Sequence, residues 1–210
     1  MIHFQMTQKD IERDLTALGK KDKDLGRALD EVGFPEERKV DAGFKTFMGI
    51  VVGQQLSVKA ASTIRGRLNA ATAPELTPNT YLTLSEQELR TIGLSRQKIR
   101  YGDGLARAVL GGKFRPDELP QMEDDEVLKT ITVLLGFGRW SAEMYLMFSL
   151  GRPDIWPADD LAVQEAVKRL KGLKERPKQK EMDKIAKKWS PYRSSAALFL
   201  WHYYANTPNI

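Results

Sequence analysis

The apolar stretches of this 210-residue chain recur at helical spacing, and strand-like alternation is missing throughout. An amphipathic helix repeats its buried face every three or four residues, whereas a half-buried strand repeats it every second. Residues 7–18 place Ile11, Leu15 and Leu18 on one face behind a cap at Thr7. Residues 41–53 do the same with Phe44, Phe47, Met48 and Val51. Ser57 opens a helix bearing Val58, Ala61, Ile64 and Leu68. Ser85 and Glu88 have capping-box spacing, and Gly93 ends the short helix they begin. Ser95 starts the next helix, which Gly111-Gly112 closes. The last begins with Ser190 as cap and Pro191 in its first turn, then carries Ala196, Ala197, Leu198, Phe199, Leu200 and Trp201. An all-α fold is predicted.

Residues 131–160 carry the most chemical information. Two helices meet at Gly136-Phe137-Gly138, and the acidic pair Asp159-Asp160 stands downstream. A glycine turn between helices exposes the orphan N–H groups of the second helix, and its dipole adds positive potential, which together seat a phosphate. Asp160, just before Leu161-Ala162-Val163-Gln164, also reads as a plain helix N-cap. Asp159 reads as a cap or as a partner of Asp160. The chain is expected to act as one unit, residues 1–210. The helix–turn–helix covers about residues 126–149, a loop spans 151–160, and the C-terminal helices occupy 181–205. The connector from Lys171 to Lys180 is basic and reads as a solvated surface loop.

Composition narrows the chemistry. Lys and Arg (33) exceed Asp and Glu (28), giving a net +5 that suits a polyanionic partner without requiring one. Cysteine is absent, which excludes disulfides, thiolate catalysis and a Cys-ligated iron–sulfur cluster. With only His3 and His202, a histidine metal site is not expected, and His202 among Trp201, Tyr203 and Tyr204 reads as a packed side chain. No signal-peptide core or membrane-length apolar run is present, so the cytosol, with its nucleoid, or a nucleus in a eukaryote, is the expected compartment.

The run Leu135-Gly136-Phe137-Gly138-Arg139-Trp140-Ser141-Ala142 resembles the helix-hairpin-helix of the base-excision DNA glycosylase superfamily, and Asp160 stands where that superfamily carries its catalytic aspartate. Three further segments support the likeness: Val52-Gly53-Gln54-Gln55-Leu56-Ser57, Gly93-Leu94-Ser95-Arg96-Gln97-Lys98 and Trp189-Ser190-Pro191-Tyr192-Arg193-Ser194. It runs from about residue 41 to 205 and is greatest toward the 3-methyladenine DNA glycosylase II branch, which removes alkylated bases. The resemblance implies a two-lobed helical bundle with the active site in the cleft between lobes. It implies that Asp160, as a buried carboxylate, stabilises the oxocarbenium-like sugar, orients the attacking water, or both. N3- or N7-alkylated purines are cationic and leave as neutral molecules, so one carboxylate without histidine or metal suffices. In bifunctional relatives a lysine follows the hairpin's Gly-Arg. Trp140 stands there, and an indole forms no Schiff base, which implies a monofunctional enzyme that uses water.

The same resemblance implies further roles. Trp140 either faces the electron-poor base or packs between helices, and Phe47, Tyr145, Phe148 and Trp156 are the other candidates for the pocket wall. Gln55, with Leu56 as the fallback, takes the place of the residue that fills the stack when a nucleotide flips. Phosphate contacts fall to the backbone around Gly136, Gly138 and Trp140, with the Ser141 hydroxyl. A monovalent cation, sodium or potassium, is a further expectation at the carbonyls of Thr132, Leu134 and Phe137. Arg96, Lys98 and Arg100 either add phosphate contacts or form a solvated face. The expected partner is double-stranded DNA and the expected state a monomer. Competing readings are a hairpin protein that grips DNA without cleaving it, and a glycosylase for deaminated, oxidised or mismatched bases. With about 40 residues before Asp41, the chain resembles the compact form of the family.

Overall fold

The computed structural model of the chain describes residues 4–207, so His3 lies outside the described residues. Among them every regular element is helical: α1 (Gln8–Lys21), α2 (Lys23–Val32), α3 (Phe44–Gly53), α4 (Val58–Ala71), α5 (Pro78–Leu82), α6 (Glu86–Ile92), α7 (Arg96–Leu110), α8 (Asp124–Thr132), α9 (Arg139–Phe148), α10 (Leu161–Lys171), α11 (Gln179–Ala186) and α12 (Arg193–Asn206). Short 3-10 turns lie at Leu119–Gln121 and Lys187–Trp189. The chain divides into two units, one formed by Val40–Ala142 and the other by the segment up to Lys39 with the segment from Glu143. No described helix is long and apolar enough to cross a membrane.

Local sequence sets the helix ends. Thr7 and Asp10 close a capping box on α1, and Ser85 with Glu88 does the same for α6, which the left-handed Gly93 terminates. Ser57 and Ser95 accept the Ala60 and Lys98 N–H groups at the starts of α4 and α7. In the Val40–Ala142 unit the core forms around Phe47, whose ring meets Phe114 and Phe137 edge-on at 5.1 and 5.6 Å. Met48, Val51, Tyr81, Leu105, Val127 and Ile131 are buried in the same unit. In the other unit Ile11, Leu15 and Leu18 of α1 are buried with Val163, Ala166 and Val167 of α10 and Ala196, Ala197 and Phe199 of α12.

Three expectations are corrected. Val58, placed on the apolar face of α4 by its spacing, is 84% exposed, because only Ala61 and Leu68 of that helix are buried. The last helix starts at Arg193 rather than at Ser190. There the Ser190 hydroxyl donates to the Asp154 carboxylate, and the Tyr192 N–H turns back to the Trp189 carbonyl. Lys171 is not part of a solvated loop. It ends α10, and its ammonium donates to both Asp22 oxygens at 2.6 and 2.7 Å and to Asp24 at 2.9 Å.

Asp22 gathers several elements of its unit. It caps α2 and accepts from Lys171, from Lys188 at 2.9 Å and from the Trp189 indole N–H at 2.9 Å. Burial pushes its carboxyl up, but hydrogen bonds from Lys171, Lys188 and Trp189 outweigh this and hold it well below the usual carboxylate range. A lowered folded pKa means stability that is present above the unfolded value near 4 and lost as pH falls. Asp22→Asn is expected to cost about 1–3 kcal/mol at neutral pH, since it removes the buried charge that Lys171 and Lys188 share and leaves Lys171 with Asp24 alone. Urea unfolding should show the gap between the two proteins closing as the pH is lowered below about 4.

Candidate active site

The helix-hairpin-helix is formed by α8 and α9, with Val133–Gly138 as the turn. Gly136 has φ +89°, and a Cβ there would lie 2.3 Å from the Tyr101 ring of α7. Only glycine meets both conditions. Gly138 has open space around it and needs no left-handed backbone. The two glycines therefore differ: Gly136 builds the turn, while Gly138 leaves the head of α9 clear for an approaching group. The Ala142 N–H bonds the Gly138 carbonyl, so the N–H groups of Arg139, Trp140 and Ser141 precede the first intrahelical bond of α9. Ser141 is buried, whereas Trp140 is 45% exposed, which removes the reading of Trp140 as a core side chain.

Thr132, Leu134 and Phe137 lie along the end of α8 and the turn that follows it. Thr132 is in its last turn, where helix carbonyls lack intrahelical partners. The Leu134 carbonyl accepts the Phe137 N–H at 3.1 Å, which uses one of its two lone pairs.

Gly53-Gln54-Gln55-Leu56 is a β-turn closed by the Leu56 N–H on the Gly53 carbonyl at 3.3 Å. Gln54 has φ −55° and ψ 128°, and Gln55 has φ +55°. These are the angles of a type II turn, whose third position favours glycine. A glutamine held there is strained, and it is exposed together with Leu56 at the surface. The Gln54 amide donates to the Gly136 carbonyl at 2.8 Å, and the Lys98 ammonium donates to the Val52 carbonyl at 2.8 Å. Burial pushes the Lys98 ammonium down. Neither Gln54 nor Lys98 was placed in this way by the sequence, because their partners are remote in the chain.

Asp160 heads α10. Its Oδ1 accepts the Ala162 and Val163 N–H groups at 3.0 and 2.9 Å and the Trp201 indole N–H at 3.1 Å. Three donors on one oxygen fix the plane of the carboxylate. Asp160 is half-buried, so the buried acid of the sequence reading is corrected to one with access to solvent. Asp159 is exposed and caps nothing, which corrects its expected capping role: the cap is Asp160.

The loop before Asp160 is tightly held. The Ser194 N–H and hydroxyl donate to the Pro153 and Arg152 carbonyls, and the Ile155 N–H donates back to the Ser194 hydroxyl at 2.9 Å. Arg193 grips both oxygens of Asp154 at 2.8 Å each. Burial pushes Asp154 up, and the bonds from Arg193 and Ser190 more than reverse it, leaving its carboxyl below the ordinary range. The Gln164 amide donates to the Ala158 carbonyl at 2.8 Å. Among the described residues, no group of three or more His, Asp or Glu side chains is arranged to hold a metal ion.

The remaining aromatic candidates lie in the interior. Phe47, Tyr145, Phe148 and Trp156 are all buried. Phe148 packs 5.8 Å from Trp201, and the Arg38 guanidinium stands 4.4 Å from its ring centroid. Trp156 meets Trp189 edge-on at 5.4 Å. The His202 ring is hydrogen-bonded with the Val32 carbonyl oxygen at 2.9 Å, as a packed side chain is.

Comparison with known proteins agrees with these features. The family model described as HhH-GPD superfamily base excision DNA repair protein matches residues 48–191. DNA-3-methyladenine glycosylase 1 of Schizosaccharomyces pombe is 30% identical over 161 residues, covering 75% of this chain and 71% of that protein. A Bacillus subtilis relative is 32% identical over 165 residues, and the chain spans only 58% of its length. The structure of the Schizosaccharomyces pombe 3-methyladenine DNA glycosylase in complex with abasic DNA superposes with a TM-score of 0.83 at 28% identity, covering 90% of this chain and 95% of that one. A DNA-3-methyladenine glycosidase from Bacillus halodurans gives 0.79 at 31% identity, covering 92% and 89%. The chain thus belongs to the HhH-GPD superfamily of base excision DNA repair proteins.

Proposed function

We propose that this chain is a monofunctional DNA glycosylase that flips alkylated bases of the 3-methyladenine and 7-methylguanine type out of duplex DNA and hydrolyses their N-glycosidic bond. The observation that carries the reading is Asp160: a carboxylate fixed by three N–H donors at the head of α10, in a chain of this family. The whole chain acts as one catalytic unit, as a monomer, in the cytoplasm at the nucleoid or in a eukaryotic nucleus.

The backbone N–H groups after Gly136 and Gly138, with Trp140 and the Ser141 hydroxyl, receive a DNA phosphate. A monovalent cation at the carbonyls of Thr132, Leu134 and Phe137 would supply positive charge against the same phosphate. Gln55, with Leu56 beside it, fills the gap left by the flipped nucleotide. As the C–N bond breaks, the sugar gains positive charge, and the Asp160 carboxylate stabilises it and orients a water for attack. The cationic base departs as a neutral molecule, so no general acid is needed. The exposed indole of Trp140 offers an electron-rich face to such a base, a contact worth about 0.5–2 kcal/mol. The rings of Phe47, Tyr145, Phe148 and Trp156 are buried on α3, on α9 and in the loop before Asp160, and pack the segments that carry these groups.

Free base released from methylated duplex DNA, identified by mass, tests the activity. Asparagine caps helices as well as aspartate does and keeps an oxygen for all three donors. Asp160→Asn is therefore expected to unfold at the wild-type denaturant midpoint while base release falls about 100-fold or more. Near-wild-type turnover would remove Asp160 from the chemistry. The product should be an abasic site in an intact strand, and borohydride should trap no enzyme–DNA adduct, because position 140 is tryptophan.

The turn conformation separates folding from function at Gln55. Left-handed backbone disfavours a side chain by about 1–2 kcal/mol, so Gln55→Gly should leave stability unchanged or raised. The same change should lower excision from paired duplex more than from a lesion opposite a gap, where less stacking must be broken. A clear loss of stability, or equal losses on both substrates, would show that Gln55 serves the fold alone.

A further inference from the structure

The strained turn at Gln55 and the phosphate-facing hairpin are tied by one hydrogen bond, from the Gln54 side-chain amide to the Gly136 carbonyl at 2.8 Å across 82 residues of sequence. Its two ends are held independently by α7. Lys98 donates to the Val52 carbonyl at the C-terminal end of α3, just before the turn. Tyr101, one helical turn further along α7, lies directly against Gly136, and its hydroxyl accepts from the Gln97 amide. Below them Phe47 of α3 packs against Phe137 of the hairpin. Gln54 is thus the cross-link between two segments that α7 already holds at matched positions.

Its location explains why a glutamine can stay in a glycine-favouring conformation. Gln55 has φ +55°, and its neighbours on both sides are fixed, Gln54 by the bond to Gly136 and Leu56 by the bond to Gly53. Without the bond at Gln54, only the 3.3 Å bond from Leu56 to Gly53 opposes relaxation of the turn toward extended backbone, a change that swings the Gln55 side chain away from its exposed position. A group held in its working position before binding avoids the ordering cost at the moment of insertion.

We propose that Gln54 is a positioning residue that locks the inserting turn to the hairpin, so that seating a phosphate and filling the vacated stack occur as one event. The proposal rests on the DNA glycosylase reading, and its test does not depend on base release. Fluorescence anisotropy compares binding of the full chain to an undamaged duplex and to one holding a tetrahydrofuran abasic analogue, whose stack is already open. The wild type should prefer the abasic duplex. Gln54→Met keeps the length and loses the donor, and should reduce that preference about tenfold, the worth of one good hydrogen bond, while affinity for the undamaged duplex stays within about twofold. Gln54→Asn, an amide one methylene short, should give the same ratio, and it decides the matter if methionine disturbs the turn. Added to Gln55→Ala, either change should have no further effect.

Equal weakening on both duplexes, an unchanged preference, or losses additive with Gln55→Ala would each overturn the proposal. A wild-type chain without preference for the abasic duplex would overturn it as well. Failure of the glycosylase reading would show separately, as a wild type that keeps the preference but frees no methylated base.

Discussion

The Ser194 hydroxyl and the Arg193 guanidinium, both at the start of α12, fix the path of residues 151–160 and therefore the place of Asp160. Two prolines remove two N–H donors from this loop, and two of its carbonyls and the Asp154 carboxylate are met by α12. Ser194 meets the Arg152 and Pro153 carbonyls and Arg193 meets Asp154. Beyond the loop, helix chemistry takes over: the chain enters α10 at Asp160, and the first N–H groups of that helix orient its carboxylate. The cap at Asp160 and the catalytic role proposed for it are compatible. The cap is what holds the acid still.

Other segments also serve two ends at once. Gly136 is required by the turn and by the Tyr101 ring, yet it also presents the carbonyl that receives Gln54. Gln55 occupies a glycine position at a local energetic cost, which is expected where function requires a side chain that folding does not. Asp22, by contrast, is buried and paired, and joins α2, α10 and the Lys187–Trp189 turn within its unit.

Much of this was legible in the sequence for reasons of range. Helices α1, α4, α6 and α7 were readable because a cap and a 3.6-residue period are local, and Thr7, Ser57, Ser85 and Ser95 all cap as their spacing suggests. The hairpin and the aspartate were readable from ordered motifs. The start of α12 was misread because the Ser190 hydroxyl has two possible partners, and the distant Asp154 won over the local helix. Trp201, Gln54 and Lys98 were missed as site-building residues for the same reason. Each acts on a partner 41 to 82 residues away, at a separation that no periodicity reports. Aromatic residues could not be sorted into buried and exposed, since no local signal separates Phe47, fully buried, from Trp140, which is not.

Above all, the fold delivers a fixed carboxylate through the grip of α12 on the loop before it. Arg193→Met removes that grip without touching Asp160 or the hairpin. Single-turnover release of methylated base should fall about 100-fold, as expected for a reacting group displaced by about an ångström, with duplex affinity unchanged. A wild-type rate from a loop so released would contradict this dependence of Asp160 on α12.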